Sequence, residues 1–317
     1  MRRSACVLAL SIAAATTAGA TPPLRTSLVR TLPWGGEPGA LGHRPAEESS
    51  PEGPMSFDVD ASGHVYILDQ VNRRVVVAGL DGSTWSFPIP SDTYQDVAID
   101  EAGGVVLLDR LVSQSVTFVD ATGRVTSDVL LVGRGIPEGG AVTALLSTAD
   151  GVSVEVGHLY TVRIADGLGA PDAARTVAPG RPAADGNAWL RVARADPPTA
   201  VLVTAWPTMP GAPAHRFARV PFTTPVAQID GYETDGAGRL WLACHVVVER
   251  PDAPFDVVSE AEEVVLVADG GAEVGRATLP AIRGHEEQLR AVRVGGDGAL
   301  WALIPGADGA SLWAVRP

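Results

Sequence analysis

A short phrase recurs along the chain, and it constrains the fold more than any other feature of the sequence. It reads Asp60-Ala-Ser-Gly63-His-Val-Tyr-Ile-Leu-Asp69, then Asp100-Glu-Ala-Gly103-Gly-Val-Val-Leu-Leu-Asp109, and later Asp235-Gly-Ala-Gly238-Arg-Leu-Trp-Leu. In each copy, a turn of small residues joins two apolar stretches of the kind that form β-strands. Such a unit, repeated at this spacing, is typical of a propeller, in which one supersecondary unit is copied around an axis.

The turn glycine gives the register of the repeats. The marks are Gly63, Gly103, Gly151, Gly186, Gly238 and Gly298. The intervals of 40, 48, 35, 52 and 60 residues each accommodate one four-stranded blade with its loops. The sequence therefore predicts an all-β fold, a six-bladed β-propeller, and the stretch 250–262, rich in proline and acid, is interpreted as an exposed loop in the fifth blade.

The two ends of the propeller are expected to meet in one blade. Ser27 to Leu32 resembles the segments that close other blades, yet it precedes the first blade, and only two further strands fit after Gly298. We expect this N-terminal strand to be the outermost strand of the sixth blade and so to close the ring, which removes an exposed strand edge.

The first twenty residues have the pattern of a secretory signal peptide. Arg2 and Arg3 precede an apolar run from Ala5 to Ala15, and the small residues Ala18-Gly19-Ala20 follow. Cleavage after Ala20 would leave residues 21–317 as a single propeller domain that is secreted or periplasmic. No later segment is apolar over the length that a transmembrane helix needs.

The charge of the chain limits its partners. The formal net charge is −13, and removal of a signal that contains two arginines and no acid lowers it to −15. Binding to nucleic acid depends on clustered basic residues, so a nucleic-acid partner is disfavoured. A protein, a peptide or a polysaccharide remains as the expected ligand.

One segment of the first repeat resembles a known family. Pro54, the Asp60 that precedes the turn glycine, the strand containing Tyr66, and the run Asp69-x-x-Asn72-x-Arg74-Val match the pattern of the NHL-repeat family of six-bladed propellers. The resemblance implies the fold, but the family includes binding modules, scaffolds and enzymes, so it does not imply one activity. At Asp69, Asn72 and Arg74 we favour a structural role in the turn over a site.

Residues just before each innermost strand are expected to line the central mouth, where propellers bind ligands. Eleven residues before a turn glycine lie Glu52, Asp92 and Glu287, and eight residues before one lie Met55, Gln95, Asp230 and Arg290. We expect Asp92, Glu287 and Arg290 to contact ligand. Several carboxylates at one offset would also suit a hard divalent cation such as calcium, although polar loops in an acidic protein explain the same pattern.

Two short pieces are similar to the gluconolactonase and regucalcin family. They are Glu52-Gly-Pro54 and Asp230-Gly231, the latter placed eight residues before the glycine of Gly238-Arg-Leu-Trp. The resemblance implies that Glu52 and Asp230 bind a divalent metal. Ile229 and Tyr232 depart from that family's motif, and its asparagine ligand has no counterpart here.

Three functions are compatible with these observations. The favoured one is an exported binding or scaffold module for a peptide, a polysaccharide or a surface protein. The alternative is a divalent-metal-dependent hydrolase, lactonase-like, or a lyase, with its site at the central mouth of the propeller. The third is a purely structural component of the cell envelope. Cys244, the one cysteine of the mature chain, is expected to be buried and structural.

Overall fold

The protein is a six-bladed β-propeller. The computed structural model describes residues 23–100, 103–209, 213–282 and 287–317, and the predicted signal peptide lies outside these ranges. The described residues form six antiparallel sheets of four strands each, which confirms the predicted fold class. Within these ranges the structure contains no helix of the length and apolarity that a membrane crossing needs.

Five blades are built from consecutive strands. The first contains β2 (Ser56–Val59), β3 (Val65–Asp69), β4 (Arg74–Ala78) and β5 (Thr84–Pro88). The second contains β6 (Asp96–Ile99), β7 (Val105–Asp109), β8 (Ser115–Val119) and β9 (Val125–Leu130). The third contains β10 (Val142–Thr148), β11 (Gly151–Val156), β12 (Tyr160–Ala165) and β13 (Val177–Ala178). The fourth contains β14 (Arg181–Pro182), β15 (Ala188–Arg194), β16 (Ala200–Pro207) and β17 (His215–Pro221). The fifth contains β18 (Val226–Thr234), β19 (Leu240–Glu249), β20 (Val257–Val267) and β21 (Glu273–Leu279). Two single-turn 3₁₀ helices, Gln70–Asn72 and Gly139–Ala141, lie in connections.

The sixth blade joins the two ends of the chain. It contains β22 (Val292–Val294), β23 (Leu300–Gly306) and β24 (Gly309–Arg316), and its outer strand is β1 (Arg25–Pro33). β1 pairs antiparallel with β24 from Arg25 opposite Arg316 to Pro33 opposite Gly309. This pairing is compatible with the predicted closure of the ring by the N-terminal strand.

The glycines used as register marks lie at the connection of the first and second strand of every blade: five lie between the two strands, and Gly151 is the first residue of β11. All six have positive φ, from 72° at Gly186 to 115° at Gly151. Glycine adopts such angles without the steric penalty of a side chain. At Gly151 a Cβ atom would also come within 2.5 Å of the Ala165 carbonyl oxygen, so the turn needs glycine for its space as well.

The apolar core lies between the blades. Phe57 of the first blade and Trp301 of the sixth are fully buried and pack in one cluster with Leu32 of β1. Trp241 of the fifth blade packs with Leu300 of the sixth in another. Because strand side chains alternate between the two faces, each inner strand contributes to the cores on both of its sides.

The turn after β3 has the structural role that was predicted for it. The Asp69 carboxylate accepts hydrogen bonds from Arg74 Nε at 2.8 Å and from the Asn72 amide at 2.9 Å. It also accepts one from the Gly42 N–H at 2.9 Å. The three polar side chains therefore stabilise the turn and fix the segment that crosses into the first blade.

The interpretation of 250–262 as an exposed loop was wrong for its second half. β20 begins at Val257 and pairs with β19 as far as Glu249, so only residues 250–256 are loop. Glu262 lies within this strand and is fully buried. The acidic composition suggested a loop because the long hairpin carries exposed polar residues at its end while its base lies inside the blade.

Candidate functional site

Carboxylates on the innermost strands link neighbouring blades around the axis. Each accepts a backbone N–H from the next blade: Asp58 from Ile99 at 2.9 Å, Asp96 from Leu145 at 2.8 Å, and Glu233 from Val294 at 2.9 Å. Asp58 and Asp96 are buried. A buried carboxylate is stable only where hydrogen bonds or charges compensate its lost hydration, and these bonds provide part of that compensation.

Arg293 of β22 connects three blades at the axis. Its Nη2 lies 2.8 Å from Asp58 Oδ1, its Nε donates to the same oxygen at 3.0 Å, and its Nη1 donates to Glu233 Oε1 at 3.0 Å. Burial opposes the charge of this guanidinium, but the carboxylates of Asp58 and Glu233 outweigh burial and raise the pKa of Arg293. The sixth blade is thereby tied to the first and the fifth.

A second ion pair spans the third and fourth blades. Arg181 donates to both carboxylate oxygens of Glu155, at 2.8 and 2.9 Å, and its Nη1 donates to the Tyr232 carbonyl of the fifth blade at 3.2 Å. Burial would raise the pKa of Glu155, but the charge of Arg181 and hydrogen bonds from His158, Arg181 and Thr143 hold it well below its usual range. The Tyr232 ring lies 4.4 Å from the Arg181 guanidinium carbon.

Arg290 is buried beside the same axis. Its Nη1 donates to the Leu145 carbonyl at 2.6 Å, and its Nε lies 3.2 Å from Asp96 Oδ1. Burial and the neighbouring Arg293 lower the pKa of Arg290, against the opposing effect of Asp96. Together these residues form a continuous polar network that links all six blades.

A cavity of about 720 Å³ lies next to this network. Its wall consists of 227–232 from β18, the segment 287–292, and side chains of the third and fourth blades that include Thr143, His158 and Arg194. Arg181 and Arg290 belong both to the cavity wall and to the axial network, so charged side chains form the part of the wall that faces the network. The volume lies within the range of small-molecule and cofactor sites.

The structure brings three of the predicted site residues to this cavity: Asp230, Glu287 and Arg290. Glu52 lies close to Glu287, because the two backbones form an isolated parallel bridge, and its carboxylate pairs with Arg44 at 2.6 Å. Asp92 is exposed and is not part of the cavity wall. The ligand role of Asp92, Glu287 and Arg290 and the metal role of Glu52 and Asp230 stay predictions.

Asp230 also belongs to a cluster inside the fifth blade. One ligand atom from each of Asp230, His245 and Glu262 lies within 4.8 Å of the other two. His245 and Glu262 are buried, whereas Asp230 reaches the cavity wall. This group is able to hold a metal ion, and it contains two residues that the sequence analysis did not select.

Sequence reasoning also missed most of the axial network, although a simple signal was present. Five residues before a turn glycine lie Asp58, Arg181, Glu233 and Arg293, all of them charged. The offsets of eleven and eight select residues that precede the innermost strand, whereas an offset of five selects residues within or beside it. His245 and Glu262 have no comparable signal, because they become neighbours only through the pairing of β19 with β20.

Comparison with known proteins assigns no family and no activity to the chain. No model of a known family matches the chain, and no curated protein matches it. Among solved structures, a gluconolactonase from Xanthomonas campestris is 15% identical, with 92% of this chain and 98% of that chain covered and a TM-score of 0.44. A calcium-binding protein, regucalcin, from Agrobacterium tumefaciens is 13% identical, with 83% and 92% covered and a TM-score of 0.47. A virginiamycin B lyase from Staphylococcus aureus is 10% identical, with 83% and 94% covered and a TM-score of 0.43. Similarity at this level carries no conclusion about a shared activity.

Proposed function

We propose that the protein is an exported binding module, secreted or periplasmic, that takes a peptide with a basic side chain into the cavity beside the axis. The observation that carries the proposal is the state of the charged groups in the cavity wall. The arginines of the described wall donate to acceptors of the protein itself, while Glu287 is an exposed acidic residue.

Each arginine of the described cavity wall donates hydrogen bonds to an acceptor within the protein. Arg181 pairs with Glu155, and Arg290 donates to the Leu145 carbonyl beside Asp96. Arg194 donates to the Val226 and Ala227 carbonyls. These contacts direct donors of Arg181 and Arg194 towards the protein, and Arg290 is buried, whereas Glu287 is exposed.

The net charge of the chain also favours a cationic ligand. At −13, the protein as a whole attracts cationic ligands and repels anionic ones. The cavity has room for part of a short peptide, and its wall includes apolar side chains such as Val192, Ile229 and Ile282 that suit the stem of a lysine or arginine.

Binding of short peptides tests this function. Matched peptides with lysine, neutral or glutamate side chains are titrated against the mature protein by isothermal calorimetry, at low and at high salt. We expect the lysine peptides to bind best and to weaken as salt rises. Glu287→Gln should weaken them about 2- to 5-fold, the effect of removing one exposed ion pair.

Glu249→Gln is the matched control, because Glu249 is an exposed carboxylate of the fifth blade outside the cavity wall. It should leave peptide affinity unchanged. Equal binding of lysine and glutamate peptides, or equal effects of the two substitutions, would contradict the proposal. Export is tested separately by mass spectrometry of the exported protein, which should begin at Thr21.

A metal-dependent hydrolase is the second candidate. The observation that favours it is that Asp230 lines the cavity and lies beside an imidazole and a second carboxylate. A metal held there would activate a water or polarise a carbonyl group of a ligand in the cavity. Hydrolysis of a panel of lactones by metal-loaded protein, compared with Asp230→Asn, is the corresponding assay; equal rates would remove this candidate.

A further inference from the structure

Three strands of the fifth blade bring Asp230, His245 and Glu262 together. His245 of β19 lies directly opposite Glu262 of β20, so their side chains are on the same face of the sheet. Asp230 lies on β18, where the register with β19 shifts between Ile229 and Gly231. A β-bulge of this kind re-aims a side chain, and here it allows the carboxylate to reach the other two groups.

The imidazole of His245 is oriented for use as a ligand. Its Nε2 lies 3.4 Å from Glu260 Oε2, which favours the tautomer with the proton on Nε2. The lone pair is then on Nδ1, and this atom is buried without a hydrogen-bond partner among the described residues. His245 is only 5% exposed, so bulk solvent has little access to this atom. A carboxylate on one ring nitrogen and a metal on the other is a frequent arrangement around metal sites.

The cluster offers one imidazole and two carboxylates as ligands. Glu262 is fully buried, and Asp230 is partly buried and reaches the cavity wall.

We propose that Asp230, His245 and Glu262 bind a divalent transition-metal ion of the zinc type. The donor set of one imidazole nitrogen and two carboxylate oxygens suits zinc and its neighbours, whereas calcium takes oxygen ligands almost alone. Ligands at zinc distances lie roughly 3.3 Å apart in a tetrahedral site. One ligand atom from each of the three side chains already lies within 4.8 Å of the others, so metal binding requires these atoms to move closer together.

This site differs from the one that the sequence resemblance implies. It keeps Asp230 but does not use Glu52, whose carboxylate pairs with Arg44. It also replaces the predicted calcium by a softer ion. Three protein ligands leave a coordination position for water or ligand, and Asp230 places that position next to the cavity. The metal site does not depend on the proposed peptide binding.

Metal binding to the full mature chain tests the inference. The protein is stripped with a chelator, and Zn²⁺, Co²⁺ and Ca²⁺ are titrated separately by calorimetry, with bound metal counted by mass spectrometry. We expect one zinc per chain, binding of cobalt with visible d–d absorption, and no binding of calcium at this site. His245→Gln and Glu262→Gln should lose most of the zinc affinity, and Glu260→Gln should lose about 10- to 100-fold.

Glu263→Gln is the matched control, since Glu263 is the next residue of β20 and pairs with Arg276 on the opposite face. It should leave zinc affinity unchanged. If a buried variant fails to fold, X-ray absorption of the zinc-loaded native protein replaces it and should show nitrogen and oxygen ligands including one imidazole. Absence of zinc binding, zinc affinity unaffected by His245→Gln, or a cobalt–thiolate charge-transfer band from Cys244 would each overturn the proposal. Peptide affinity is measured on other variants, so failure of one proposal does not decide the other.

Discussion

Replacement of Arg293 by methionine should destabilise the propeller more than the loss of any exposed ion pair. Arg293 is 8% exposed, and its guanidinium makes three close contacts with two carboxylates, two with Asp58 and one with Glu233. Methionine fills similar space but leaves both carboxylates without their cation. The variant therefore measures the cost of uncompensated charge at the axis.

The size of the effect follows from what each carboxylate retains. Charge-assisted hydrogen bonds contribute about 1.5–3 kcal/mol each, so a simple sum over three would exceed 4 kcal/mol. Asp58 keeps hydrogen bonds from the Val59 and Ile99 N–H groups, and Glu233 keeps one from Val294. We therefore expect about 3–5 kcal/mol, the cost of breaking a buried pair. The melting temperature should fall by roughly 5–8 °C for a chain of this length.

The assay is denaturant and thermal unfolding followed by circular dichroism, with Arg44→Met as the matched control. Arg44 lies only 2.6 Å from Glu52, a shorter distance than any in the Arg293 group, but both side chains are about half exposed. An exposed pair contributes about 0–1 kcal/mol. A double-mutant cycle with Asp58→Asn isolates the pairwise coupling. Equal losses for Arg293→Met and Arg44→Met would refute the argument that burial, and not distance, sets the strength of these contacts.

Two further perturbations test the acid dependence and the joining of the chain ends. Because Arg181 and hydrogen bonds hold the pKa of Glu155 below its usual range, the unfolded chain binds more protons than the folded one below about pH 4.5, and stability should fall there as pH falls. Glu155→Gln should lower the free energy of unfolding at neutral pH and make it depend less on pH in the acid range, as measured by urea titrations between about pH 3 and pH 7. Parallel pH profiles for the two proteins would show that Glu155 does not cause this acid dependence. Leu32→Ala in β1, at a fully buried position, should cost about 2–5 kcal/mol, whereas Leu28→Ala in the same strand, 52% exposed, should cost less than about 0.5 kcal/mol. Similar melting temperatures for these two variants would show that β1 adds little to the sixth blade.

The fold could be predicted because its signal is local. A turn that needs positive φ at one residue marks itself with glycine wherever it recurs, and Gly63, Gly103 and Gly298 each lie between the first two strands of a blade. The placement of β1 could be predicted for a related reason. Only the sixth blade lacked an outer strand, and Ser27 to Leu32 had the composition of one.

The candidate site was harder to predict from the sequence, because its residues become neighbours only through packing and strand register. Asp230, Glu287 and Arg290 line one cavity. Asp92 was selected by the same criterion, its distance in sequence from a turn glycine, yet it lies outside the cavity wall. The number of residues from the turn glycine predicts where in a blade a residue lies. It does not predict which residues form a cavity wall, because the wall also depends on the loops. Glu262 was assigned to a loop because acidic residues are rarely buried, and its burial is intelligible only once His245 is known to lie opposite.

The bulge at Asp230 determines on which face of β18 the neighbouring side chains lie. Ile229 and Tyr232 pack against the same core cluster, although strict alternation would place residues three apart on opposite faces of the strand. The register shift between Ile229 and Gly231 removes this conflict. Gly231 then faces the sixth blade, where a Cβ atom would come within 3.1 Å of Val292. The sequence carries the signal for this bulge, an Asp-Gly pair between two core residues at the wrong spacing for a regular strand. Because the bulge satisfies both neighbouring cores, it also fixes the Asp230 carboxylate where cavity and cluster meet, and the packing of the blade thereby determines its chemistry.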